Sequence, residues 1–398
     1  MVKRVYGDFY GCTLNRGEFN VVLGELEEQG WEITDDLEKA DLCLIFTCIV
    51  IDKTERKVRK RIKQLQAEGK RVVVGGCLAP FYEGEKIYPA LSKCDVSGIE
   101  LKRITGSHRV INGTTAIVPI STGCLFNCSY CMTKLARGRL KSYPVDSIVG
   151  DVEYCLKNGA REILLTSQDC GSYGLDRGES IVGLVDRISS LDGNFMMRIG
   201  MMNPSSINGL SIKGLFGHDH VFKFLHLPLQ SGSNQVLKRM GRRYTAEEFN
   251  SIVDGYKGSG GVFSTDVIVG FPGETDNDFQ ASVKAIEAIK PDVLNITRFS
   301  PRPGTRASSM GEKIHGRISK ERSRVLTHLA KKIGSEINKE WVGKRVKVLI
   351  TERKEDKKKK WMGRMANYKP VVLNANGNLG SWVETKITDF TSSYLIGE

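Results

Sequence analysis

Short apolar runs alternate with amphipathic stretches over the first 105 residues. In the stretch around residue 60, Val58, Ile62 and Leu65 are spaced to share one face of a helix. Strands and helices are predicted in alternation, at residues 3–6, 15–29, 41–46, 54–68 and 72–74. Buried strands that alternate with helices predict a parallel sheet covered on both sides.

The alternation restarts near residue 115 and continues to about residue 330. Strands are predicted at 116–119, 162–166, 197–201, 222–225, 266–269 and 292–298. Helices are predicted between them, for example at 145–158, 181–190, 246–258 and 275–289. About six strand–helix units predict a barrel or partial barrel, in which function lies at the C-terminal ends of the strands.

Residues 341–398 change character, with short strands predicted at 345–350 and 370–373, Asn/Gly turns and no helical period. This pattern predicts a small β-barrel. The predicted fold class is therefore α/β, and it has three parts. They are an N-terminal parallel α/β domain over 1–110, a central partial (β/α) barrel over 111–336 and a small β-barrel over 337–398.

The chain of 398 residues has a formal net charge of +13. An excess of this size favours a polyanionic partner such as nucleic acid, and a merely soluble basic protein is the alternative. Basic residues concentrate at 344–364, which includes a run of four lysines, and at 56–63. No stretch approaches the roughly 18 apolar residues of a membrane span, and no signal region opens the sequence. A cytoplasmic protein is predicted.

Three of the ten cysteines stand close together, in Thr122-Gly-Cys124-Leu-Phe-Asn-Cys128-Ser-Tyr-Cys131. Three thiols on one loop suit a four-iron cluster, which prefers thiolate ligands. No fourth Cys or His lies close by in sequence, so one iron is left open to bind a substrate. A structural zinc loop is the alternative, but it requires a closed set of four ligands.

Three further cysteines occupy equivalent positions along the N-terminal domain. Cys12, Cys48 and Cys77 each lie just beyond the C-terminal end of a predicted buried strand. Those ends lie side by side in a parallel sheet, so the three thiols can meet above one edge. Each cysteine alone is more often a core residue, whereas the repeated position favours a second three-cysteine cluster site.

The sequence resembles the methylthiotransferases of the radical S-adenosylmethionine (SAM) superfamily over nearly its whole length. The C-x3-C-x2-C spacing and the aromatic Tyr130 match the superfamily, in which SAM binds the open iron. The other matching segments are Tyr10-Gly-Cys12, Thr47-Cys48, Gly76-Cys77, Leu165-Thr-Ser-Gln-Asp169, Arg198-Ile-Gly-Met-Met-Asn-Pro204, His226-Leu-Pro-Leu-Gln-Ser-Gly-Ser-Asn234, Arg239-Met-Gly-Arg-Arg-Tyr244, Thr265-Asp-Val-Ile-Val-Gly-Phe-Pro-Gly-Glu274, Phe299-Ser-Pro-Arg-Pro-Gly-Thr305 and, like a TRAM domain, Gly363-Arg-Met-Ala-Asn-Tyr368.

Within that family the segments most resemble the archaeal and eukaryotic branch, which converts N6-threonylcarbamoyladenosine at position 37 of tRNA into its 2-methylthio derivative. The resemblance implies two [4Fe-4S] clusters, one on each cysteine trio, and two SAM molecules per turnover. It implies a tRNA anticodon loop as substrate. A monomer without membrane association is also predicted. Eukaryotic members often carry a C-terminal membrane tail, and the chain ends at Glu398 without one, which favours the archaeal form.

The resemblance also implies contacts to the cofactor and to RNA. For the cofactor contacts, ordinary packing at the barrel mouth is the alternative, and for the lysines it is a solvated surface. The expected cofactor contacts are Tyr130, Gln168, Asp169, Arg198, Gln230 and Val269. The expected phosphate contacts of the TRAM-like domain are Arg345, Lys358, Lys360 and Arg364.

Two other functions share part of this pattern. A related enzyme that methylthiolates an aspartate of a ribosomal protein has the same six cysteines, so the cysteines do not discriminate. The basic tail favours tRNA. A non-catalytic iron–sulfur protein that binds RNA or transfers electrons is the second alternative, but it has no need of an open iron on a barrel-like chain.

Overall fold

The structure is a computed structural model that describes residues 2–88, 93–94, 110–207, 209–258, 260–353, 361–374 and 377–398. A four-stranded sheet, two three-stranded parallel sheets and a closed barrel of five strands follow one another along the chain. The predicted α/β class, with an N-terminal parallel domain, a central partial barrel and a C-terminal β-barrel, is confirmed.

The N-terminal sheet is parallel, with the strand order β2-β1-β3-β4. Its elements are β1 Arg4–Phe9, α1 Thr13–Glu28, β2 Glu32–Thr34, β3 Leu42–Thr47, α2 Asp52–Ala67 and β4 Val72–Gly76, followed by the short β5 Ile87–Tyr88 and β6 Lys93–Cys94. The edge strand β2 was not among the predicted strands, since three residues are too few to show a period.

The two long helices of this domain are buried to different extents. The first, α1, packs on both sides: Phe19 and Val22 join the N-terminal core, while Val21 joins the core of the central barrel. The second, α2, buries only its predicted face of Val58, Ile62 and Leu65. A helix buried on one side keeps a clean apolar stripe, and the rest of α2 therefore faces outward.

The central domain consists of two parallel three-stranded sheets, β7-β10-β11 and β12-β13-β14. A bridge between Met197 and Val221 connects them, which makes an open, six-stranded partial barrel. Its elements are β7 Thr115–Pro119, β8 Ser121–Thr122, α3 Met132–Arg137, β9 Lys141–Ser142, α4 Val145–Lys157, β10 Glu162–Thr166, α5 Ile181–Ser189, β11 Met196–Ile199, α6 Pro204–Ile207, α7 Ile212–Phe216, β12 Phe224–His226, α8 Asn234–Met240, α9 Ala246–Lys257, β13 Val262–Val269, α10 Asp276–Ile289, β14 Val293–Arg298 and α11 Gly316–Lys339. All six predicted strands are present.

The C-terminal barrel closes in the order β15-β16-β17-β19-β18. Its core contains Val348, Ile350, Val371 and Leu373. Its strands are β15 Arg345–Arg353, β16 Trp361–Arg364, β17 Pro370–Leu373, β18 Trp382–Phe390 and β19 Leu395–Gly397.

The C-terminal barrel packs against the end of the central barrel where the strands begin. The Lys223 N–H, just before β12, donates to the Ala366 carbonyl over 3.0 Å. The buried Lys369 ammonium lies 2.9 Å from the carboxylate of Asp292, just before β14. The opposite, C-terminal ends of the central strands are therefore left for the N-terminal domain.

The N-terminal domain packs against the central domain near the start of α2. The buried Arg302, in the segment after β14, forms ion pairs with Asp52 and Glu55 of α2. Elsewhere, α1 lies against β7 of the central domain. These contacts bring the C-terminal edge of the N-terminal sheet to the C-terminal ends of the barrel strands.

Candidate active site

A cavity of about 430 Å³ lies where the N-terminal domain meets the central barrel. It is lined by all six cysteines of the two predicted trios, Cys12, Cys48, Cys77, Cys124, Cys128 and Cys131. The first three come from the N-terminal domain and the last three from the loop after β7. Two sets of thiols that are distant in sequence therefore share one space.

The loop after β7 is held in a tight conformation by Gly123. This residue has φ +73°, and a Cβ there would lie 1.9 Å from the Arg139 carbonyl oxygen. Only glycine can therefore bring the chain into Cys124 along this path. The backbone N–H of Phe126 then donates to Cys124 Sγ over 3.4 Å.

The chemistry of these thiols suits a metal cluster. Burial raises the pKa of Cys124 to about 11 and also raises the pKa of Cys131. Such thiols are protonated at neutral pH unless a cation displaces the proton. Opposite the loop, Arg242 donates from Nη1 to Cys128 Sγ over 3.4 Å, so a positive charge already lies beside one sulfur.

The N-terminal trio follows the ends of three adjacent strands. Cys12 is the N-cap residue of α1, and burial raises the pKa of its thiol. Cys48 Sγ accepts from the Val50 N–H over 3.5 Å. Gly76, with φ +78°, precedes Cys77, and a Cβ there would lie 2.6 Å from the Thr47 carbonyl oxygen. The predicted convergence of these thiols at one sheet edge therefore agrees with the structure.

Arg137 connects the two trios. It is the last residue of α3, the helix that begins directly after Cys131, and its side chain reaches into the N-terminal domain. There it pairs with the fully buried Glu18, donates to Asn15 Oδ1 over 2.5 Å, and donates from Nε to Cys77 Sγ over 3.5 Å. Although burial opposes its charge, Glu18 and Cys77 hold the pKa of Arg137 well above its ordinary value.

Several polar atoms on the cavity wall lack a protein partner. Gln168 Oε1, Arg198 Nε and Gln230 Oε1 are buried and find no hydrogen-bond partner among the described residues. Gln230 also has φ +68°, a backbone conformation that non-glycine residues rarely adopt. Buried polar atoms normally have partners, so these three fit a polar cofactor such as SAM in this space.

The cysteines fit a cluster better than a single ion. No group of three His, Cys, Asp or Glu side chains in the described part of the chain is placed to hold one metal ion. A structural zinc site would require four ligands around a single centre. Each trio lines the cavity with three thiols, and donors lie beside some of their sulfurs, an arrangement that fits an iron–sulfur cluster.

The other predicted cofactor residues have different surroundings. The Asp169 carboxylate lines the cavity but accepts four hydrogen bonds from its own and the following loop, from Gly171, Ser172, Asn203 and Ser206. Through these hydrogen bonds Asp169 holds the two segments together. A contact of Asp169 with the cofactor stays a prediction.

Tyr130 lines the cavity and packs edge-on against Phe271. Val269 is fully buried at the end of β13, and the cavity lining drawn from the described residues does not include it. Cofactor contacts of Tyr130 and Val269 stay predictions.

Several cavity residues were not among those predicted from the sequence. His226 and Asp266 both line the cavity, with His226 Nε2 3.1 Å from the Asp266 carboxylate, which also accepts from Asn295 over 2.8 Å. Although burial acts in the opposite direction, these hydrogen bonds hold the pKa of Asp266 below its ordinary value. His226 and Arg242 occur in matched motifs, but only the fold shows what they touch.

The predicted RNA contacts divide into three groups. Arg345 is exposed at the start of β15. Arg364 is largely covered, with its guanidinium 4.8 Å from the centre of the Tyr368 ring and 3.6 Å from Glu352. Lys358 and Lys360 lie outside the described residues. A phosphate contact is therefore easier to envisage for Arg345 than for Arg364, and all four stay predictions.

Three successive segments of the chain match known sequence families. Residues 4–96 match "Uncharacterized protein family UPF0004", residues 118–286 match the radical SAM superfamily, and residues 339–398 match the TRAM domain. Among solved structures, a radical SAM methyltransferase, TsrM from Kitasatospora setae, superposes with a TM-score of 0.57 at 14% identity, over 77% of this chain and 75% of that chain. The superposition shows the fold, and the family match over the barrel that carries Cys124, Cys128 and Cys131 gives the class, a radical SAM enzyme.

Relatives that match over the full length of the chain identify the family within the radical SAM class. A protein named probable threonylcarbamoyladenosine tRNA methylthiotransferase from Pyrococcus horikoshii is 38% identical over 100% of this chain and 99% of its own length. A protein of the same name from Archaeoglobus fulgidus is 40% identical over 99% of this chain and 98% of its own length. The human threonylcarbamoyladenosine tRNA methylthiotransferase is 32% identical over 100% of this chain and 74% of its own. The chain belongs to the threonylcarbamoyladenosine tRNA methylthiotransferase family.

None of the helices in the described part of the chain has the length and apolar character that a membrane span requires. The cytoplasmic location, the monomeric state and the boundaries 1–110, 111–336 and 337–398 stay predictions.

Proposed function

We propose that the protein attaches a methylthio group to C2 of N6-threonylcarbamoyladenosine at position 37 of tRNA. In this proposal Cys124, Cys128 and Cys131 hold one [4Fe-4S] cluster, while Cys12, Cys48 and Cys77 hold a second one that carries the sulfur. Two SAM molecules are used, one as radical source and one as methyl donor. The proposal is supported by the family to which the chain belongs and by the shared cavity of the two trios.

The observation that carries the proposal is that both trios line one cavity. A carbon radical is reactive toward water and protein, so sulfur must be available where the radical forms. A separate sulfur site on another face would require the substrate to move between steps. One cavity allows both steps on a substrate that stays in place.

When bound, the cluster on the 124–131 loop and SAM would supply the one-electron chemistry needed to remove the strong C2 hydrogen of adenine. The protein residues hold and orient these groups. Gln168, Arg198 and Gln230 offer the unpaired polar atoms to SAM. Asp169, next to Gln168, joins the loop after β10 to the segment that follows β11.

The adenine must leave its stack in the anticodon loop to enter the cavity, at a cost of a few kcal/mol. Contacts to the RNA backbone must offset this cost. The C-terminal barrel is the predicted source of such contacts, through Arg345, Lys358, Lys360 and Arg364. This barrel lies at the opposite end of the central strands from the cavity, so it would bind the tRNA away from the modified base.

The test separates the two trios by substitution. Cys128→Ala should abolish formation of both 5′-deoxyadenosine and the methylthio nucleoside, because it removes the predicted radical site. Cys77→Ala should retain 5′-deoxyadenosine formation from SAM and dithionite but yield no methylthio product. Cys43→Ala is the control, since Cys43 is buried in the N-terminal core away from the cavity lining.

The measurement is mass spectrometry of nucleosides from tRNA that already carries threonylcarbamoyladenosine, after anaerobic reconstitution of the enzyme. Unmodified tRNA should gain no mass. The proposal is wrong if a ribosomal protein gains the methylthio group instead, or if Cys77→Ala forms the tRNA product at the wild-type rate.

A further inference from the structure

The outward face of α2 carries a row of positive charges. Arg56, Arg59, Lys60 and Lys63 are all exposed, and their spacing of three and four residues places them on one side of the helix. This side lies away from the buried Val58, Ile62 and Leu65 stripe. From Arg56 to Lys63 the row extends about 10 Å, at about 1.5 Å of helix rise per residue.

The row borders a surface groove of about 460 Å³. The four cations line it together with Ile62, Gln66 and Tyr82. A groove walled by cations, amide and aromatic groups offers donors for phosphate and a surface for ribose or base.

Only the first half of the row has acidic neighbours. Arg56 pairs with Asp52, and Arg59 pairs with Glu55. Lys60 and Lys63 form no ion pair with any of the residues that the structure describes. Like charges three or four residues apart disfavour a helix, so a polyanion would relieve this repulsion.

The row begins close to the candidate active site. Val50 lines the cavity and is half exposed, and α2 starts two residues later, at Asp52. The C-terminal barrel, by contrast, covers the other end of the central strands. On the side of the cavity where α2 begins, the row on α2 is therefore a suitably placed surface for backbone contacts.

We propose that the α2 groove, formed by Arg56, Arg59, Lys60 and Lys63, binds the ribose–phosphate backbone of the tRNA substrate next to the modified base. This assignment rests on the proposed function, because it takes tRNA as the substrate. In this arrangement the α2 groove binds the RNA near the cavity, and the C-terminal barrel binds it at the other end of the central strands.

The test neutralises the unpaired half of the row in the full-length enzyme. In Lys60→Gln/Lys63→Gln, tRNA affinity at low salt should fall about tenfold, the expected effect of losing two exposed ionic contacts. The slope of log K against log salt should become shallower by about 1.4 to 1.8, because two fewer counterions are released. The control is Lys157→Gln/Lys284→Gln, which removes the same charge from exposed positions on α4 and α10.

SAM cleavage without tRNA separates this proposal from the proposed function. Lys60→Gln/Lys63→Gln should form 5′-deoxyadenosine from SAM and dithionite at the wild-type rate, since neither lysine lines the cavity. Unchanged tRNA affinity and salt slope would overturn the α2 assignment while leaving the reaction itself standing.

An acidic protein reductant is the other polyanion that this row could attract. If the double variant kept tRNA binding but lost activity with a protein reductant and not with dithionite, the groove would bind that reductant and the RNA assignment would be wrong. Equal losses of affinity in the Lys157→Gln/Lys284→Gln control would also overturn it, because the effect would then be one of net charge.

Discussion

An arginine places a positive charge against one sulfur of each cysteine trio. Arg242 donates to Cys128 and Arg137 donates to Cys77. Sulfurs that bind iron carry negative charge, and a guanidinium beside such a sulfur balances part of it. Arg137 differs from Arg242 in that it also pairs with Glu18, a carboxylate with no solvent exposure.

Replacement of Arg137 should therefore destabilise the fold strongly. Arg137→Gln leaves the Glu18 charge buried without a partner, and the free energy of unfolding should fall by about 3–5 kcal/mol. Urea unfolding of the metal-free protein measures this change. The exposed pair Arg187–Asp146 provides the control, since Arg187→Gln should cost at most about 1 kcal/mol.

A second variant tests the cause. Glu18→Gln/Arg137→Gln removes both charges and should recover part of the lost stability, because no unpaired charge stays buried. Equal destabilisation by Arg137→Gln and Arg187→Gln would contradict the assigned role of the pair.

At the scale of elements, loops after the strands determine where the thiols lie. The loop from β7 reaches Cys124 through Gly123, and the loop from β4 reaches Cys77 through Gly76. Both glycines have positive φ and lie close to a neighbouring carbonyl oxygen. Loop geometry of this kind is strict, since a side chain would have to displace backbone rather than a flexible neighbour.

Gly123→Ala should disrupt the predicted cluster site. The Cβ clash with Arg139 would move the loop, so bound iron per chain after anaerobic reconstitution should fall by about half or more, as expected if one of two clusters is lost. Gly159→Ala is the matched control, because Gly159 has φ +93° and a Cβ added there would meet no atom within 4 Å. It should lose only about 1 kcal/mol of unfolding free energy and retain its iron. Full iron content in Gly123→Ala would show that the loop tolerates the change.

At the scale of the whole molecule, the central barrel carries one domain at each end of its strands. The N-terminal domain completes the cavity at one end, and the C-terminal barrel is attached at the other through Lys369 and Tyr368. The Lys369 ammonium lies 2.9 Å from Asp292 and 2.8 Å from Asn338 Oδ1, and its side chain is 6% exposed. Such a contact fixes the position of the C-terminal domain.

Lys369→Met should loosen the C-terminal barrel, because the largely buried Asp292 carboxylate would lose its cationic partner. Unfolding free energy should fall by about 3–5 kcal/mol, and limited proteolysis should cut faster between α11 and β15. Lys347→Met removes an exposed pair with Glu384 and should change neither measurement noticeably. Unaltered proteolysis in Lys369→Met would mean that aromatic packing alone holds the domain.

Some of these features could be predicted from the sequence, and others could not. The strands of the central barrel and the apolar face of α2 could be predicted, because short apolar runs and helical period are visible within short segments. The helix α1 is buried on two sides, so its pattern could not show that Val21 faces the barrel. The roles of Arg137 and Arg242 were missed because their partners lie far away in the chain.

Local chemistry determined the class of protein from the sequence alone. The spacing of Cys124, Cys128 and Cys131 and the position of Cys12, Cys48 and Cys77 after strands are properties of short segments, which can be recognised without a fold. Only the tertiary structure decided that both trios share one cavity, that Arg137 joins them and that the C-terminal barrel lies at the far end. Those relations depend on how the domains pack, and packing energy is set by surfaces from distant parts of the chain.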